Sequence, residues 1–230
     1  MTTVFIISAP SGTGKSTLVD KVRQIIPGID FSVSYTTRKP RGPEKDRREY
    51  CFVPRAEFEV MKRREEFLEY ADVSGNSYGT PKRALEEAQR NGRDLLLDID
   101  VQGAEQVKQK LPDAVRIFVL PPSRPELEKR LRLRSQDSEA DIQRRLDTAT
   151  REIEKYREYD YILINDHLEE SVAALKAILI VERAKRAGNQ QSIIDADTIA
   201  RAESCRLKNL GNRLSPILAS FAAATAPGGR

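Results

Sequence analysis

The residues best suited to chemistry in this sequence lie near its beginning, in the stretch from Ala9 to Ser16. Its two glycines allow the backbone to turn so tightly that successive N–H groups face one phosphate. Lys15 has the length and charge to reach β- and γ-phosphates, and the Ser16 hydroxyl is a suitable ligand for Mg²⁺. The stretch therefore predicts a loop that holds a nucleoside triphosphate with Mg²⁺. The residues predicted to contact this ligand are Ala9, Pro10, Ser11, Gly12, Thr13, Gly14, Lys15, Ser16 and Thr17.

One position departs from the usual GxxxxGK[ST] pattern, because Ala9 stands where the first glycine would be. Gly12 and Gly14 remain, so we expect the phosphate cradle to form. The alternative is a chance glycine-rich turn. The order of apolar strand, loop and helical segment around the stretch favours the phosphate-binding interpretation.

Short apolar runs mark the strands that must position this loop. Buried parallel strands read as continuous apolar runs, and here each run is followed by a segment of helical character. This alternation predicts an α/β fold of three layers with a parallel sheet, the P-loop NTPase arrangement. The predicted strands are Val4–Ile7, Leu95–Leu97, Val115–Leu120 and Tyr161–Ile164. The helices predicted to follow them are Lys15–Ile26, Val101–Lys110, Arg124–Arg132 and Leu168–Arg186.

Three segments interrupt this rhythm. Residues 31–90 contain turn-forming residues and two alternating patches, Phe31–Thr36 and Tyr50–Val53, and are predicted to form an inserted lobe, largely β. Residues 133–142 are polar and are predicted to form a short lid. The core would then comprise residues 1–30 and 91–186. Residues 187–230 are predicted to be an extension that is partly helical and then disordered.

Composition limits the possible functions. The chain has 230 residues, enough for one sizeable core, and its net charge of +4 suits an anionic partner of any class. The two cysteines, Cys51 and Cys205, form no metal-binding spacing and indicate a reducing, cytoplasmic compartment. Because His167 is the only histidine in the sequence, a histidine-rich metal site is excluded. No apolar run approaches the roughly 18 residues that span a bilayer, so we expect no membrane association.

Several motifs further along the chain occur in the order found in one known family. Together with the phosphate loop, they make the sequence similar to bacterial-type guanylate kinases over about residues 3–186. The motifs lie at Ser34–Arg41, Arg48–Tyr50, Phe67–Glu69, Gly75–Thr80 and Asp98–Gly103.

Two arginines in the first of these motifs suit the phosphate of a nucleoside monophosphate. Arg38 and Arg41 lie three residues apart in a loop bounded by prolines, and guanidinium groups bind phosphate oxygens in a bidentate manner. The resemblance implies that the hydroxyls of Tyr50 and Tyr78 contact the same phosphate.

Four further residues suit guanine, which carries an N1–H and a 2-amino group beside the O6 acceptor. Glu69 and Asp100 supply carboxylates for the two donors, and the resemblance assigns them to guanine recognition. Ser34 and Thr80 supply hydroxyls for O6 on the same basis. A site built to pair specific polar atoms rejects a base that leaves them unpaired.

Arginines cluster around the predicted lid. Phosphoryl transfer needs positive charge and exclusion of water around the moving group. The resemblance implies that Arg134 and Arg145 provide this charge, with Arg130 as a third. The sequence has Leu133 and Ser135 where the family usually has glycines, and we expect this change to affect the rate of lid closure more than the reaction.

The resemblance implies the reaction ATP + GMP ⇌ ADP + GDP with Mg²⁺ as cofactor, and Asn165 as a contact to the adenine ring. We expect dGMP to be accepted, because no identified residue requires a 2′-hydroxyl. The resemblance also implies small-molecule substrates, no nucleic acid, and self-association as in other enzymes of the family.

Three other functions are compatible with parts of this pattern. A kinase-like module that binds peptides would have lost loop residues, whereas Gly14, Lys15 and Ser16 are intact. A kinase for another phosphorylated substrate, such as a ribose bisphosphate, would have no use for two guanine-reading carboxylates. Nucleic-acid binding would require an affinity that falls steeply with salt.

Overall fold

Strands and helices alternate along the chain in the computed structural model, which describes residues 2–73, 75–134, 138–188 and 194–222. The strands are β1 (Val4–Ser8), β2 (Ile29–Phe31), β3 (Tyr35–Thr36), β4 (Cys51–Phe52), β5 (Phe67–Val73), β6 (Asn76–Pro81), β7 (Asp94–Asp98), β8 (Val115–Leu120) and β9 (Tyr161–Ile164). The helices are α1 (Lys15–Ile25), α2 (Arg55–Arg63), α3 (Lys82–Arg90), α4 (Val101–Lys110), α5 (Arg124–Arg134), α6 (Glu139–Ile153), α7 (Leu168–Arg186), α8 (Ala196–Ser204) and α9 (Ser215–Ala222).

The chain divides into two compact units. Unit 1 comprises Met1–Ile6 and Pro27–Val115, and unit 2 comprises Ile7–Ile26 and Arg116–Arg230. The division falls within β1, so the five-stranded sheet contributes the order β2-β7-β1 to unit 1 and β1-β8-β9 to unit 2.

Most strands of the five-stranded sheet are buried, with β2 half-buried, and a parallel pair is found in each unit. In unit 1, β2 pairs with β7 so that Ile29 lies opposite Asp94. In unit 2, β8 pairs with β9 so that Ile117 lies opposite Tyr161. Every residue of β1 is buried, as continuous apolar runs predict for strands covered on both faces. The predicted α/β fold with a parallel sheet is therefore confirmed.

Unit 1 contains a second sheet of four strands in the order β4-β3-β6-β5. It lies within residues 31–90, the segment predicted as a largely β insertion. β5 and β6 form an antiparallel hairpin that closes next to Gly75, whose φ of 79° suits glycine. This hairpin supplies most of the sheet, and the two predicted strand patches, Phe31–Thr36 and Tyr50–Val53, contain the other strands of the sheet, β3 and β4.

The predicted lid at residues 133–142 overlaps two helices. Helix α5 continues to Arg134, and α6 begins at Glu139 with Ser138 as its N-cap. Leu133 is 78% exposed at the end of α5. Ser135, the second position where the family usually has glycine, lies outside the described residues.

The C-terminal extension contains ordered structure in unit 2. Helix α8 packs against α7, and α9 packs against α5 and α6. Between them the chain runs beside the edge strand β9, where Ile162 N donates to Cys205 O at 2.8 Å and Leu207 N donates to Asp160 O at 3.2 Å. The extension is thus partly helical. Of the segment predicted to be disordered, Ala222–Arg230, the first residue ends α9, and residues 223–230 lie outside the described residues. Among the described helices, none has both the length and the apolar character that crossing a bilayer requires.

Candidate functional site

The glycine-rich loop follows directly from β1 and leads into α1 in unit 2. Gly12 and Gly14 have φ values of 91° and 93°, a region that glycine adopts without strain. Thr13, buried between them, donates from its backbone N–H and its hydroxyl to Pro10 O, at 3.2 and 2.7 Å. The loop therefore turns within a few residues and delivers the chain to the first turn of α1.

Neighbouring side chains also leave no room for a larger residue at either glycine. A Cβ atom at Gly12 would lie 2.6 Å from Leu131 Cδ2 and 3.1 Å from Leu127 Cδ1, both on α5. A Cβ atom at Gly14 would lie 2.7 Å from Asn165 Nδ2. The sequence predicts the need for a tight turn, and the structure adds a need for close packing.

The first turn of α1 has the character of an anion site. Lys15, Ser16 and Thr17 are its first three residues, and it contains no acidic side chain. The N–H groups at a helix start have no intrahelical partners, and the helix dipole places partial positive charge there. This geometry suits a bound phosphate.

Three side chains from later in the chain contact the loop. Asn165 Nδ2 donates to Thr13 O at 2.7 Å, and Arg130 Nη1 donates to Asn165 O at 2.9 Å. Arg145 Nη2 on α6 donates to Ser11 Oγ at 2.8 Å. The Asn165 amide thus supports the loop in this structure, and its contact with adenine stays a prediction.

Two of the three residues predicted to assist phosphoryl transfer lie at the phosphate loop. Arg145 lies against the loop, and Lys15 begins α1. Arg134 is the last residue of α5, on the helix that also carries Arg130. Unit 2 thus brings together the loop, Asn165 and Arg145 from positions that are far apart in sequence.

All eight predicted acceptor residues lie in unit 1, and the residues predicted to recognise guanine are grouped around Glu69. Glu69, on β5, is 3% exposed and accepts two hydrogen bonds from Thr80 on β6. The Thr80 hydroxyl lies 3.4 Å from the Ser34 hydroxyl, and both residues are buried. The β5–β6 pairing places Glu69 beside Thr80, and the β3–β6 pairing brings in Ser34, which directly precedes β3.

Burial gives the Glu69 carboxyl unusual acid–base behaviour. Loss of water contact raises its pKa from the ordinary 4.5 to about 7, and the nearby negative charge of Asp100 acts in the same direction. The hydrogen bonds from Thr80 favour the ionised form and offset only part of this effect. Glu69 therefore changes protonation state near neutral pH.

Asp100 approaches the same place from the start of α4. Its Oδ1 accepts from Gly103 N at 2.8 Å, so it is the N-cap of that helix. A Cβ atom on Gly103 would overlap the Glu69 carboxylate and lie 3.4 Å from Asp100 Oδ1. Gly103 thus allows two carboxylates to meet beside a helix start. It was not among the predicted site residues, although it closes the quoted Asp98–Gly103 motif.

The predicted phosphate-binding residues form a second cluster in unit 1. The Arg38 guanidinium lies 5.3 Å from the centre of the Tyr50 ring, which meets the Tyr78 ring edge-on at 5.8 Å. Burial, the charge of Asp98 and the neighbouring Tyr78 raise the pKa of Tyr50, so its hydroxyl stays protonated as a donor. One arginine and two tyrosines are therefore brought together, and their contact with a phosphate stays a prediction.

Glu44 is a member of this cluster that the sequence analysis missed. Its carboxylate accepts from both Nη atoms of Arg38, at 2.8 and 3.0 Å, and from Arg41 N at 2.7 Å. Burial alone would lower the pKa of Arg38, but the hydrogen bonds and charge of Glu44 raise it. The sequence gives one indication of Glu44, which is a carboxylate three residues after Arg41 in a basic loop. The Arg41 side chain itself is exposed.

The residues present fit a magnesium ion that is held mainly by phosphates. Within the described residues, no group of three or more His, Cys, Asp or Glu side chains is placed to hold a metal. Mg²⁺ in nucleotide sites keeps several waters and takes few protein ligands besides the phosphates. Ser16, exposed in the first turn of α1, offers the one hydroxyl oxygen that the sequence predicts.

Comparison with known proteins gives consistent matches. A family model described as guanylate kinase matches residues 1–182, which end before α8 and α9. The guanylate kinase of Koribacter versatilis (strain Ellin345) is 52% identical over 228 residues, covering 98% of each chain. That of Escherichia coli (strain K12) is 46% identical over 191 residues, covering 82% of this chain and 92% of the relative.

A solved structure agrees with these matches. The crystal structure of guanylate kinase from Anaplasma phagocytophilum is similar, with a TM-score of 0.65 and 32% identity over 88% of this chain and 94% of that one. The resemblance predicted from the motifs is thereby confirmed, and this chain belongs to the guanylate kinase family.

Proposed function

We propose that the chain catalyses transfer of the γ-phosphoryl group of ATP to GMP and dGMP, giving ADP and GDP or dGDP. The observation that carries this proposal is the group of buried polar side chains around Glu69 in unit 1. A buried carboxyl beside two hydroxyls and a second carboxyl matches the hydrogen-bonding edge of guanine, and has no evident use in a structural core.

Glu69 in its ionised form accepts the N1–H and one hydrogen of the 2-amino group. Asp100 lies near it and serves the same two donors, while the Ser34 hydroxyl donates to O6. The Thr80 hydroxyl donates its one proton to Glu69 in this structure, so it must turn from that carboxyl to donate to O6 as well. Adenine carries an unprotonated N1 and a 6-amino group, so it would leave these groups unpaired. Selection of guanine follows from the cost of unpaired buried polar atoms.

The acceptor phosphate is bound by the cluster of Arg38, Arg41, Tyr50 and Tyr78 in this proposal. The Glu44 carboxylate accepts hydrogen bonds from both Nη atoms of Arg38, so the phosphate either displaces this carboxylate or shares the arginine with it. The phosphate oxygen of GMP is already anionic, and it attacks the γ-phosphorus in line without a general base.

The donor nucleotide is held by the loop of residues 9–17 and the start of α1. Backbone N–H groups and Lys15 bind the β- and γ-phosphates, and Asn165 contributes near adenine. A magnesium ion held by Ser16 and the phosphates would supply charge neutralisation at the β- and γ-oxygens. Lys15, Arg134 and Arg145 stabilise the negative charge that spreads over the moving group.

The organisation proposed for this activity is a core of residues 1–30 and 91–186, an acceptor-binding lobe of residues 31–90 and a lid of residues 133–142. We propose a cytoplasmic location, where both cysteines, which are free thiols in this structure, would stay reduced. The proposed partners are the nucleotides and further copies of the chain.

A nucleotide panel tests the proposal. ADP release is measured with ATP and, in turn, GMP, dGMP, AMP, UMP, dTMP and ribose phosphates. We expect turnover with GMP and dGMP at least about 10²-fold above that with AMP, because a mismatched base leaves buried groups unpaired. Comparable turnover with AMP or a sugar phosphate would contradict the assigned acceptor, and no turnover with GMP would contradict the activity.

A further inference from the structure

Helix α9 in the C-terminal extension contacts the two helices that carry arginines to the phosphate loop. It packs against α5 and α6, and its residues Ile217 and Phe221, four apart on one face, are 5% and 2% exposed. Residues at this spacing lie on the same side of a helix. The apolar face of α9 is therefore buried within unit 2.

Helix α9 also caps the start of α5. Ser220 Oγ accepts a hydrogen bond from Arg124 N at 3.0 Å, across 96 positions of sequence, and donates to Ile217 O at 2.6 Å. Arg124 is the first residue of α5, where backbone N–H groups lack partners within the helix. A residue of the extension thus satisfies one of these donors.

Helix α5 contacts the phosphate loop directly. The fully buried side chains of Leu127 and Leu131 close over Gly12, and Arg130 hydrogen-bonds Asn165 O. Helix α6, the other partner of α9, reaches the loop through Arg145 and Ser11. Both helices in contact with α9 therefore lie against the loop as well.

We propose that α9 is a positioning element for phosphoryl transfer, which holds α5 and α6 so that their arginines and leucines keep the donor-side geometry. This inference rests on the proposed function, because it assigns α9 to the donor side of that reaction. Ile217, Ser220 and Phe221 are positioning residues in this proposal. They act through α5 and α6 and not by contact with nucleotide. Loss of α9 packing is therefore selective, and affects ATP more than GMP.

Two full-length variants test this assignment. Ile217→Ala/Phe221→Ala removes the packing face, and Ser220→Ala removes only the cap, so the second variant serves if the first does not fold. We expect ATP affinity, measured by calorimetry, and kcat/KM for ATP to fall about tenfold in the double variant and about threefold in Ser220→Ala. The dissociation constant and the KM for GMP should stay within about twofold of wild type, since the acceptor residues are elsewhere.

The matched control is Ala202→Gly, a change at a buried position of α8, which packs against α7. It lowers stability by weakening helix α8, to an extent comparable with loss of the Ser220 cap, and leaves α9 intact. A thermal melt of each variant sets an assay temperature at which all are folded. Equal losses in Ala202→Gly and the α9 variants, or equal losses for ATP and GMP, would overturn the inference.

A double-mutant cycle with Arg130→Ala, on the helix that Ser220 caps, separates positioning from general stability. If Ser220 acts through α5, Ser220→Ala should change kcat/KM for ATP much less in the Arg130→Ala background than in wild type. Fully additive effects would also overturn the inference. Failure of the proposed function is distinct, since the wild-type chain would then release no ADP with GMP, while calorimetry with ATP would still test the role of α9.

Discussion

The pKa of Glu69 leads to a prediction about GMP affinity and pH. In the proposed complex, guanine presents donors to this residue, so only the ionised carboxylate would bind it well. Its pKa of about 7 in the ligand-free protein means that protons compete with GMP in the physiological range. GMP affinity should therefore fall as the pH is lowered through 7, and GMP binding should release a proton below that pH.

The size of the effect follows from the ionised fraction. A carboxyl with a pKa of about 7 is ionised in about nine of ten molecules at pH 8 and in about one of ten at pH 6. The dissociation constant for GMP should therefore rise about tenfold between these pH values, which corresponds to about 1.4 kcal/mol. An ordinary glutamate, ionised throughout this range, would contribute no change.

The assay is calorimetric titration with GMP at pH 6, 7 and 8, at constant ionic strength. The second ionisation of the GMP phosphate occurs near pH 6 and also affects binding. Glu69→Gln isolates the contribution of the side chain, because amide and carboxylate have similar shape and the phosphate titrates identically in both experiments. We expect the variant to bind about 10–100-fold more weakly at pH 8, since it loses charge-assisted hydrogen bonds, and to lack the Glu69-dependent tenfold change.

The result that refutes this reasoning is an equal pH dependence in wild type and Glu69→Gln. It would mean that Glu69 is ionised throughout the range in solution, or that guanine does not meet it. A pH dependence in the opposite direction, with tighter binding at pH 6, would mean that the protonated carboxyl is the form that binds.

Three further perturbations follow from the site. Lys15→Ala should lower kcat by about 10²–10⁴ with the melting temperature unchanged. Lys21→Ala, on the same helix, removes an exposed ion pair with Glu169 of α7 and should leave kcat unchanged. Equal effects of the two changes would contradict the role assigned to Lys15. Gly103→Ala should raise KM for GMP about tenfold or more and leave KM for ATP within about twofold, because the added methyl group displaces the Glu69 carboxyl. Alanine itself suits a helix interior, so α4 should still form. Unchanged KM and kcat for GMP would refute the assigned role of Glu69. Glu44→Ala leaves the largely buried Arg38 side chain without its carboxylate and should lower the free energy of unfolding by about 1–3 kcal/mol. Added GMP should raise the melting temperature of this variant more than that of wild type, because the nucleotide phosphate replaces the lost negative charge. An equal shift in both proteins would argue against phosphate binding at Arg38.

The parallel sheet could be predicted because burial leaves a direct mark on composition. A strand covered on both faces has no polar alternation, so runs such as Val115–Leu120 are recognisable without structural knowledge. The hairpin of β5 and β6 was harder to predict. β5 spans Phe67–Val73, and the buried Glu69 lies within it. Its carboxylate interrupts the apolar pattern by which a buried strand is recognised.

The predicted site residues gathered into clusters because most of them sit in short local motifs. Contacts between distant segments could not be predicted in the same way. Asn165 and Thr13 are 152 positions apart, and Arg145 and Ser11 are 134 apart. Each of these pairings depends on where a helix or strand begins in three dimensions.

Glu44 and Gly103 were missed for a different physical reason. The role of Glu44 depends on a turn that folds the loop back onto Arg38, six residues earlier. Gly103 matters because it has no side chain, which lets the Glu69 carboxylate approach its backbone closely. The sequence alone does not indicate that approach. Both become visible once the backbone path is known.

The pairing of the extension with β9 has a practical consequence for handling the protein. β9 ends the five-stranded sheet, and unpaired edge strands recruit other chains by backbone hydrogen bonding. The hydrogen bonds from Ile162 N to Cys205 O and from Leu207 N to Asp160 O occupy that edge. A clone that stops near Arg186, close to the end of the family match, would expose β9 together with the apolar surface beneath α8. Such a truncated protein should enter inclusion bodies or precipitate during purification, whereas the full-length chain should stay monodisperse under the same conditions.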